Sequence, residues 1–537
     1  MTPTDHEILF LADSALAAAY EHVDDQPSEA ASVAKEIFSR LQRITPGPIQ
    51  QQVLVNCSSL LIDAGSRASD KEALDIAAEL TAELISSPHL AHEEVARAKY
   101  NRANCLTSIV EYEFAITITE STDEAKLDDE TIRAKELVHR LNSRTLLTEA
   151  RRLYYAAGTD ETIDADQRGR SFCNLANQLD FSGRWAEAYD AYLSALTIDP
   201  TNGNAAGNAA MLLRIAMQAG TVDVGHAAVL HNRFLRIAHD HLDRVAELAG
   251  PDTADFWRGL ELFDVEDHWH PGNPDDHLQS WLIKHRLILA TTALEGLGST
   301  EVKWDSVHID TVYTPIIQDG PPEIFAMINS IKAEYLVARR TIYTACQMAE
   351  ESEGRQHHSD TGWYADTEDN RLYGQMPGMF VLGQRATLDV LDKICVCINE
   401  HFQIGDRPSS VAFRSFLAKK DTLGFRAEIL NKLDISPTLV ALRELVDDVN
   451  PNGLYPDAYN LRNAGTHRIV VATSDETKDL GVDSISLIGI DNLEKVAIQA
   501  LQVTRAAIMY LVALVNHTER LKGVKDRVIK LPVVGQK

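Results

Sequence analysis

Apolar residues recur every three or four positions through most of this chain, and that spacing confines it to helices. Residues 1–250 read as helix after helix, rich in Ala and Leu and poor in proline. The texture breaks over 251–320, where Pro251, Pro271, Pro274, Pro315, Pro321 and Pro322 interrupt it. There, WDSVHIDTVYTP (304–315) alternates as a short strand does. Long stripes return after Pro322. Ile324, Ile328, Ile331, Tyr335, Ala338, Ile342 and Ala345 form the first, and Phe380, Leu391, Ile394, Ile398 and Phe402 the second. A third helical region is expected over 410–449. A last long helix, about 491–521, lines up Leu493, Ala497, Ala500, Thr504, Ala507, Leu511 and Leu514. The fold class expected is all-α. It has three parts: a repeat array (1–250), a connector (251–320) and a helical bundle (321–537).

Composition excludes several classes. Of 537 residues, 45% are apolar and 24% charged, a globular mixture. The longest apolar run, Ala506–Val515, is half the roughly 20 residues a membrane-spanning helix needs, so it reads as core. The N-terminus carries acids where a secretory signal has basic residues. Six cysteines are too few for a disulfide framework. A cytoplasmic setting with reduced thiols and no membrane partner is expected.

The net charge is −28, unevenly spread. Residues 321–537 hold 25 Lys+Arg and 28 Asp+Glu, which leaves 26 and 51 for residues 1–320. Phosphate backbones are bound by Lys and Arg. The acidic N-terminal part is therefore a poor nucleic-acid surface, and any RNA contact belongs to the C-terminal part.

One segment, 169–202, has a specific pattern. In NLANQLDFSGRWAEAYDAYLSALTIDP, Leu175, Ala176 and Leu179 precede Gly183, Trp185, Ala188, Tyr192, Ala195 and Pro200. Small Ala188 lets two helices approach, and Trp185 and Tyr192 fill the space beside it. Gly183 turns the chain and Pro200 stops the second helix. This spacing resembles the tetratricopeptide repeat. A single repeat cannot bury its own faces, so degenerate neighbours are expected at 51–85, 93–119 and 203–241. The resemblance implies a tetratricopeptide-like solenoid that receives a protein or peptide partner.

Most chemical motifs are missing. No Walker-type phosphate loop, dinucleotide fingerprint, H-E-x-x-H or paired C-x-x-C occurs. Cys395 and Cys397 lie about 200° apart around a helix and read as core thiols. His268 and His270 stand beside Glu266 and Asp267 with no distant ligand to complete a zinc site. His357, His358 and Asp360 read as a solvated loop. Neither a metal nor a cofactor is expected.

The remaining constellation is NLRNAGTHRIVVAT (460–473), with Arg462, Asn463 and His467. Arg offers a fixed charge and a fork for phosphate oxygens. His exchanges protons near neutral pH. Asn adds a neutral donor and acceptor. These three groups suffice to cleave a phosphodiester without a metal: His acts on the 2′-OH or the leaving oxygen, and Arg steadies the transition state. A second copy of the spacing, Arg236 to His241, lies in an acidic helical stretch, where residues five apart face about 140° away from each other. Looser versions run from Arg133 to His139 and from Arg233 to His239. Around 462–467, Gly465 can end a helix and the β-branched run Ile469–Val471 follows.

With LDKICVCINEHF (391–402) before it and a long helix after it, the motif resembles the HEPN superfamily, whose signature is an Arg, usually a polar residue next, and a His four to six residues after the Arg. The resemblance implies a C-terminal HEPN-like bundle of roughly 220 residues. It implies metal-independent RNA endonuclease activity at Arg462, Asn463 and His467, in a homodimer or larger assembly. A bacterial toxin or antiphage-defence effector, sensed or restrained by the repeats, is the implied setting. Two other readings stand beside it: a non-catalytic repeat adaptor that uses the bundle for dimerisation or nucleotide binding, and a toxin neutralised by a modifying partner.

Overall fold

The structure is a computed structural model. It describes residues 3–120, 128–222, 224–266, 276–291, 304–314, 320–352, 356–365, 367, 370–417, 424–458, 460, 469–474, 484–522 and 527–529. Helix dominates among the described residues, and the fold class is all-α with little strand. The chain divides into two compact units. The first comprises Met1–Phe181, Ala191–Asn208 and Ile237–Arg258; the second comprises Ser182–Asp190, Ala209–Arg236 and Gly259–Lys537.

The first unit begins with α1 (Pro3–Glu21), α2 (Pro27–Leu41), α3 (Pro48–Ala68), α4 (Lys71–Ile85), α5 (His92–Glu120), α6 (Asp129–Asn142), α7 (Arg144–Thr159) and α8 (Ala165–Phe181). The sequence sets these boundaries chemically. Proline opens α2 and α3, where its missing N–H costs nothing. Asp70 and Asp128 cap α4 and α6 by accepting from Ala73 N (3.1 Å) and Thr131 N (2.8 Å). Neighbours then pack in order, α2 on α3, α3 on α4, α4 on α5 and α7 on α8, and α3 also meets α5. Small residues line the close approaches: Ala31, Ala34, Ala73 and Ala77 are wholly buried. Leu54, Leu60, Leu61 and Leu80 fill the gaps between them, each contributing about 1.5–3 kcal/mol by burial.

Next come α9 (Trp185–Ile198), α10 (Gly203–Gln218), α11 (Val224–Asp240), α12 (Leu242–Ala249), α13 (Pro251–Gly259) and α14 (His277–Lys284). The two units share α9: its residues up to Asp190 belong to the second and those from Ala191 to the first. Gly183 has φ +73°, as the turn before α9 requires, and α9 ends two residues before Pro200. A Cβ at Gly183 would also fall 2.5 Å from the carbonyl oxygen of Pro437, so the position has no room for one.

The second unit is built on α15 (Glu323–Ser352), α16 (Gln375–His401) and the 33-residue α20 (Ile490–Lys522), which pack against one another. All seven residues of the first apolar stripe are buried in α15, and all seven of the last are buried in α20. By length and composition α20 is apolar enough to cross a membrane, yet 83% of its most apolar stretch is buried inside the protein.

The expected third helical region is broken up. Its described residues hold two single-turn helices, α17 (Phe413–Phe416) and α18 (Ala427–Leu430), and one full helix, α19 (Pro437–Asp448). Pro408, Gly424 and Pro437 punctuate it. Arg426 ties the loop together by gripping Asp406 and the Phe416 carbonyl.

Among the described residues, strand is confined to short pieces. β1 (Val312–Thr314) pairs antiparallel with β5 (Arg527–Ile529). The strand expected over 304–315 is limited to these three residues. β2 (Arg371–Leu372), β3 (Ile469–Thr473) and β4 (Ile485–Gly489) form a second sheet in the order β2-β3-β4. β2 is antiparallel to β3, with Arg371 opposite Thr473, and β3 is parallel to β4, with Ile469 opposite Ile485. The connector is pinned to α15: Arg339 grips Asp305 with two bonds (2.8 and 2.7 Å) and also donates to the Leu287 carbonyl.

Two histidines of the second unit set a pH response. Burial, with Arg233 nearby, pushes His226 down to about 4; burial between Lys284 and Arg286 does the same to His285. An unfolded histidine titrates near 6.5. Between those values the unfolded chain binds more protons than the folded one, so stability is whole above pH 6.5 and is lost as pH falls toward 4. The thermal midpoint should drop steadily from pH 6.5 to 4.5, and H226Q with H285Q should flatten that slope. An unchanged slope in the double variant would exclude these histidines as its source.

Candidate active site and its frame

The segment that leads to the candidate motif starts at α19. Ser436 caps this helix at Leu439 N, and Pro437 opens it. Nearly every α19 side chain is buried, including Arg443, Glu444 and Asp448. The chain then reverses tightly. Tyr455 N donates to the Asp448 carbonyl (2.8 Å), and a Cβ at Gly453 would lie 2.4 Å from that same oxygen. Ala458 is wholly buried, and its carbonyl accepts from Gln384 Nε2 of α16 (3.1 Å). On the far side, Ile469 N donates to the Ser484 carbonyl (2.9 Å) where β3 begins. Described residues thus fix the chain on both sides of the motif. Arg462, Asn463 and His467 themselves lie outside the described residues.

Beneath this frame is a buried ionic cluster. Arg184 bonds Glu187 twice (2.9 and 2.6 Å) and also pairs with Asp448. Glu187 accepts from Tyr455 Oη (2.6 Å) and Tyr510 Oη (3.0 Å). Arg184 and Asp448 have no solvent exposure. Burial, reinforced by Glu187, pushes both phenols well above their ordinary range, so they stay protonated donors. A second set joins it one turn along α9, where Asp190 accepts from Arg505 (2.8 Å) and pairs with Arg286 (3.1 Å). Periodicity could not reveal this cluster. Two local signals pointed to it: a charged residue between Gly183 and Trp185, and a phenol, Tyr510, inside the longest apolar run.

The other sequence candidates resolve as follows. His139 and His239, from the looser Arg–His pairs, spend Nε2 on the carbonyls of Val110 (2.9 Å) and Trp257 (2.8 Å). The helix expected to run through Arg236 and His241 stops at Asp240, and His241 stands at the start of α12 without a side-chain capping bond. Cys395 and Cys397 are buried free thiols; burial pushes Cys397 up to about 12 and raises Cys395 as well. His268, His270 and Asp267 lie outside the described residues.

The expected solvated loop at His357 needs correction. His357 is buried; Nδ1 meets Ser359 Oγ (2.7 Å), Nε2 meets Glu351 (2.8 Å), and its ring lies tilted against that of His358. Glu351, His357 and His358 place three ligand-type atoms within 4.8 Å of one another, a grouping able to hold a divalent cation.

Three long helices pack against one another in the second unit, and a family comparison accounts for this architecture. Residues 317–518 match the LA2681-like HEPN family. The C-terminal region is a HEPN domain. The match spans α15, α16, α19, β3, β4 and most of α20, and it includes positions 462–467. No curated protein matches the chain.

Proposed function

We infer that the HEPN domain is a metal-independent RNA endonuclease, and that the helices before it sense or restrain it through a protein or peptide partner. The observation that carries this reading is Arg462-Asn463 followed by His467 inside the family-matched region. In the proposed step, His467 exchanges protons with the attacking 2′-OH or the leaving 5′-oxygen. Asn463 orients the groups, and Arg462 neutralises charge that grows on the phosphorane. The P–O5′ bond breaks as the 2′-oxygen bonds to phosphorus. The products are a 2′,3′-cyclic phosphate and a 5′-OH. A toxin or antiphage effector in the cytoplasm fits this chemistry, and tetratricopeptide-like packing of the N-terminal helices fits a sensing role.

One Arg and one His supply half of an acid–base pair, and a two-fold axis supplies the other half without new sequence. The active protein is therefore a homodimer or larger, joined through the HEPN domain. Light scattering at micromolar concentration should give at least twice the 59.5 kDa chain mass. Cleavage should also continue in EDTA. A fully active monomer would remove the composite site, and loss in EDTA restored by magnesium or zinc would remove the mechanism.

A further inference from the structure

The last turn of α15 concentrates negative charge. Glu350 and Glu351 both lie in it, and no basic residue does. The negative end of the helix dipole points the same way, so these two carboxylates oppose it and a cation there would be favoured. The loop that follows returns two imidazoles to this end. His357 is buried, with Nε2 2.8 Å from Glu351. The His358 ring lies beside it, 4.1 Å between centroids, and makes no hydrogen bond among the described residues.

One ligand-type atom from each of Glu351, His357 and His358 lies within 4.8 Å of the other two. Around a tetrahedral zinc with bonds of roughly 2.0–2.2 Å, ligand atoms stand about 3.4 Å apart. The Glu351 side chain is 58% exposed, so it can turn to that separation without disturbing the core. Two imidazoles with one carboxylate suit zinc, whereas magnesium and calcium favour sites built from oxygen. Three protein ligands leave a fourth position for water.

The surroundings fit a bound ion. Ser359 Oγ lies 2.7 Å from His357 Nδ1. A hydroxyl can accept as well as donate. It can therefore take an N–H from Nδ1 and leave the Nε2 lone pair for a cation, as outer-shell partners of metal-bound histidines do. That tautomer gives up the longer contact from Ser359 N (3.2 Å). The loop is tied to α16 by Asp360, which accepts from Gln375 N (2.7 Å) at the start of that helix. Asp360 also accepts from Gly362 N (2.9 Å), and Gln356 Nε2 donates to the Gly362 carbonyl (2.9 Å). Among the described residues, the bond from this loop back to α15 is the His357–Glu351 pair.

We propose that Glu351, His357 and His358 form a structural zinc site that clips the end of α15 to the loop before α16. This does not rest on the nuclease reading, and the ion takes no part in RNA cleavage. The test uses the full chain, stripped with EDTA, freed of chelator and titrated calorimetrically with zinc alone. E351Q and H358Q are the decisive variants, because both residues are exposed and neither change empties the core. Each should weaken the site more than the roughly 10–100-fold that loss of an outer-shell partner costs. Zinc should raise the thermal midpoint of the wild type by several degrees, and that of the variants less. The double variant H268Q with H270Q should bind as the wild type does. Cobalt in place of zinc should show no thiolate charge-transfer band, since the six cysteines are buried elsewhere. No zinc binding by the wild type, or equal affinity in E351Q and H358Q, would overturn the site. Loss only in the histidine double variant, or a thiolate band, would place the metal elsewhere and overturn it too. Binding without any rise in midpoint would overturn the clip. None of these readouts involves RNA, so an inactive nuclease leaves the result standing.

Discussion

His467→Ala should lower RNA cleavage by about 10²–10⁴-fold, the usual scale for losing a general acid or base. Arg462→Ala should cost about 10²–10³-fold, the usual scale for one transition-state donor. The chain holds its own control. Arg236 and His241 repeat the spacing, yet a helix ends between them at Asp240 and the neighbourhood is acidic. Arg236→Ala and His241→Ala should leave the rate within about twofold, as expected for groups that make no transition-state contact. The assay is cleavage of mixed cellular RNA by each purified variant after its fold is checked by circular dichroism. Equal losses from both pairs would indicate general destabilisation, and loss from the 236–241 pair alone would move the site there.

The second large effect belongs to stability. Glu187→Ala should destabilise the HEPN-containing unit by about 3–5 kcal/mol, because removing one partner leaves the other charges buried and uncompensated. Arg184 would retain Asp448 alone, and the hydroxyls of Tyr455 and Tyr510 would lose their acceptor. Urea unfolding followed by tryptophan fluorescence reads the shift in midpoint. Replacing Arg184, Glu187 and Asp448 together with Met, Leu and Leu should recover much of the loss, since apolar residues of similar volume often replace a buried ion cluster at little cost. A midpoint unmoved by Glu187→Ala would mean that the cluster carries no net coupling.

The long helices were legible because each has one dominant partner face. The stripes from Ile324 to Ala345 and from Leu493 to Leu514 are local patterns, and both are buried throughout. What escaped was non-local. β2, β3 and β4 join residues 371–372, 469–473 and 485–489 without a hairpin turn to announce them. The β-branched run after the motif signalled extended chain, but not its partners. The 410–449 region carried helical apolar spacing, and the prolines together with the Arg426–Asp406 pair override it. Residues 182–190 read as the middle of a repeat, whereas Arg184 and Glu187 bond to residues more than 250 positions away. Periodicity records which face of a helix is buried, not what buries it. The candidate chemistry was legible for a different reason: Arg, Asn and His at short spacing are chosen by reactivity rather than by packing.

The central claim is that this domain breaks RNA by attack of the adjacent 2′-OH, and the ends of the product report this directly. Mixed cellular RNA would be incubated with the full chain in EDTA, and the new termini identified by their susceptibility to phosphatase, kinase and cyclic-phosphate ligation. The predicted termini are 2′,3′-cyclic phosphates and 5′-hydroxyls, absent when His467→Ala replaces the wild type. Products ending in 3′-hydroxyl and 5′-phosphate, or the same cyclic ends from His467→Ala, would contradict it.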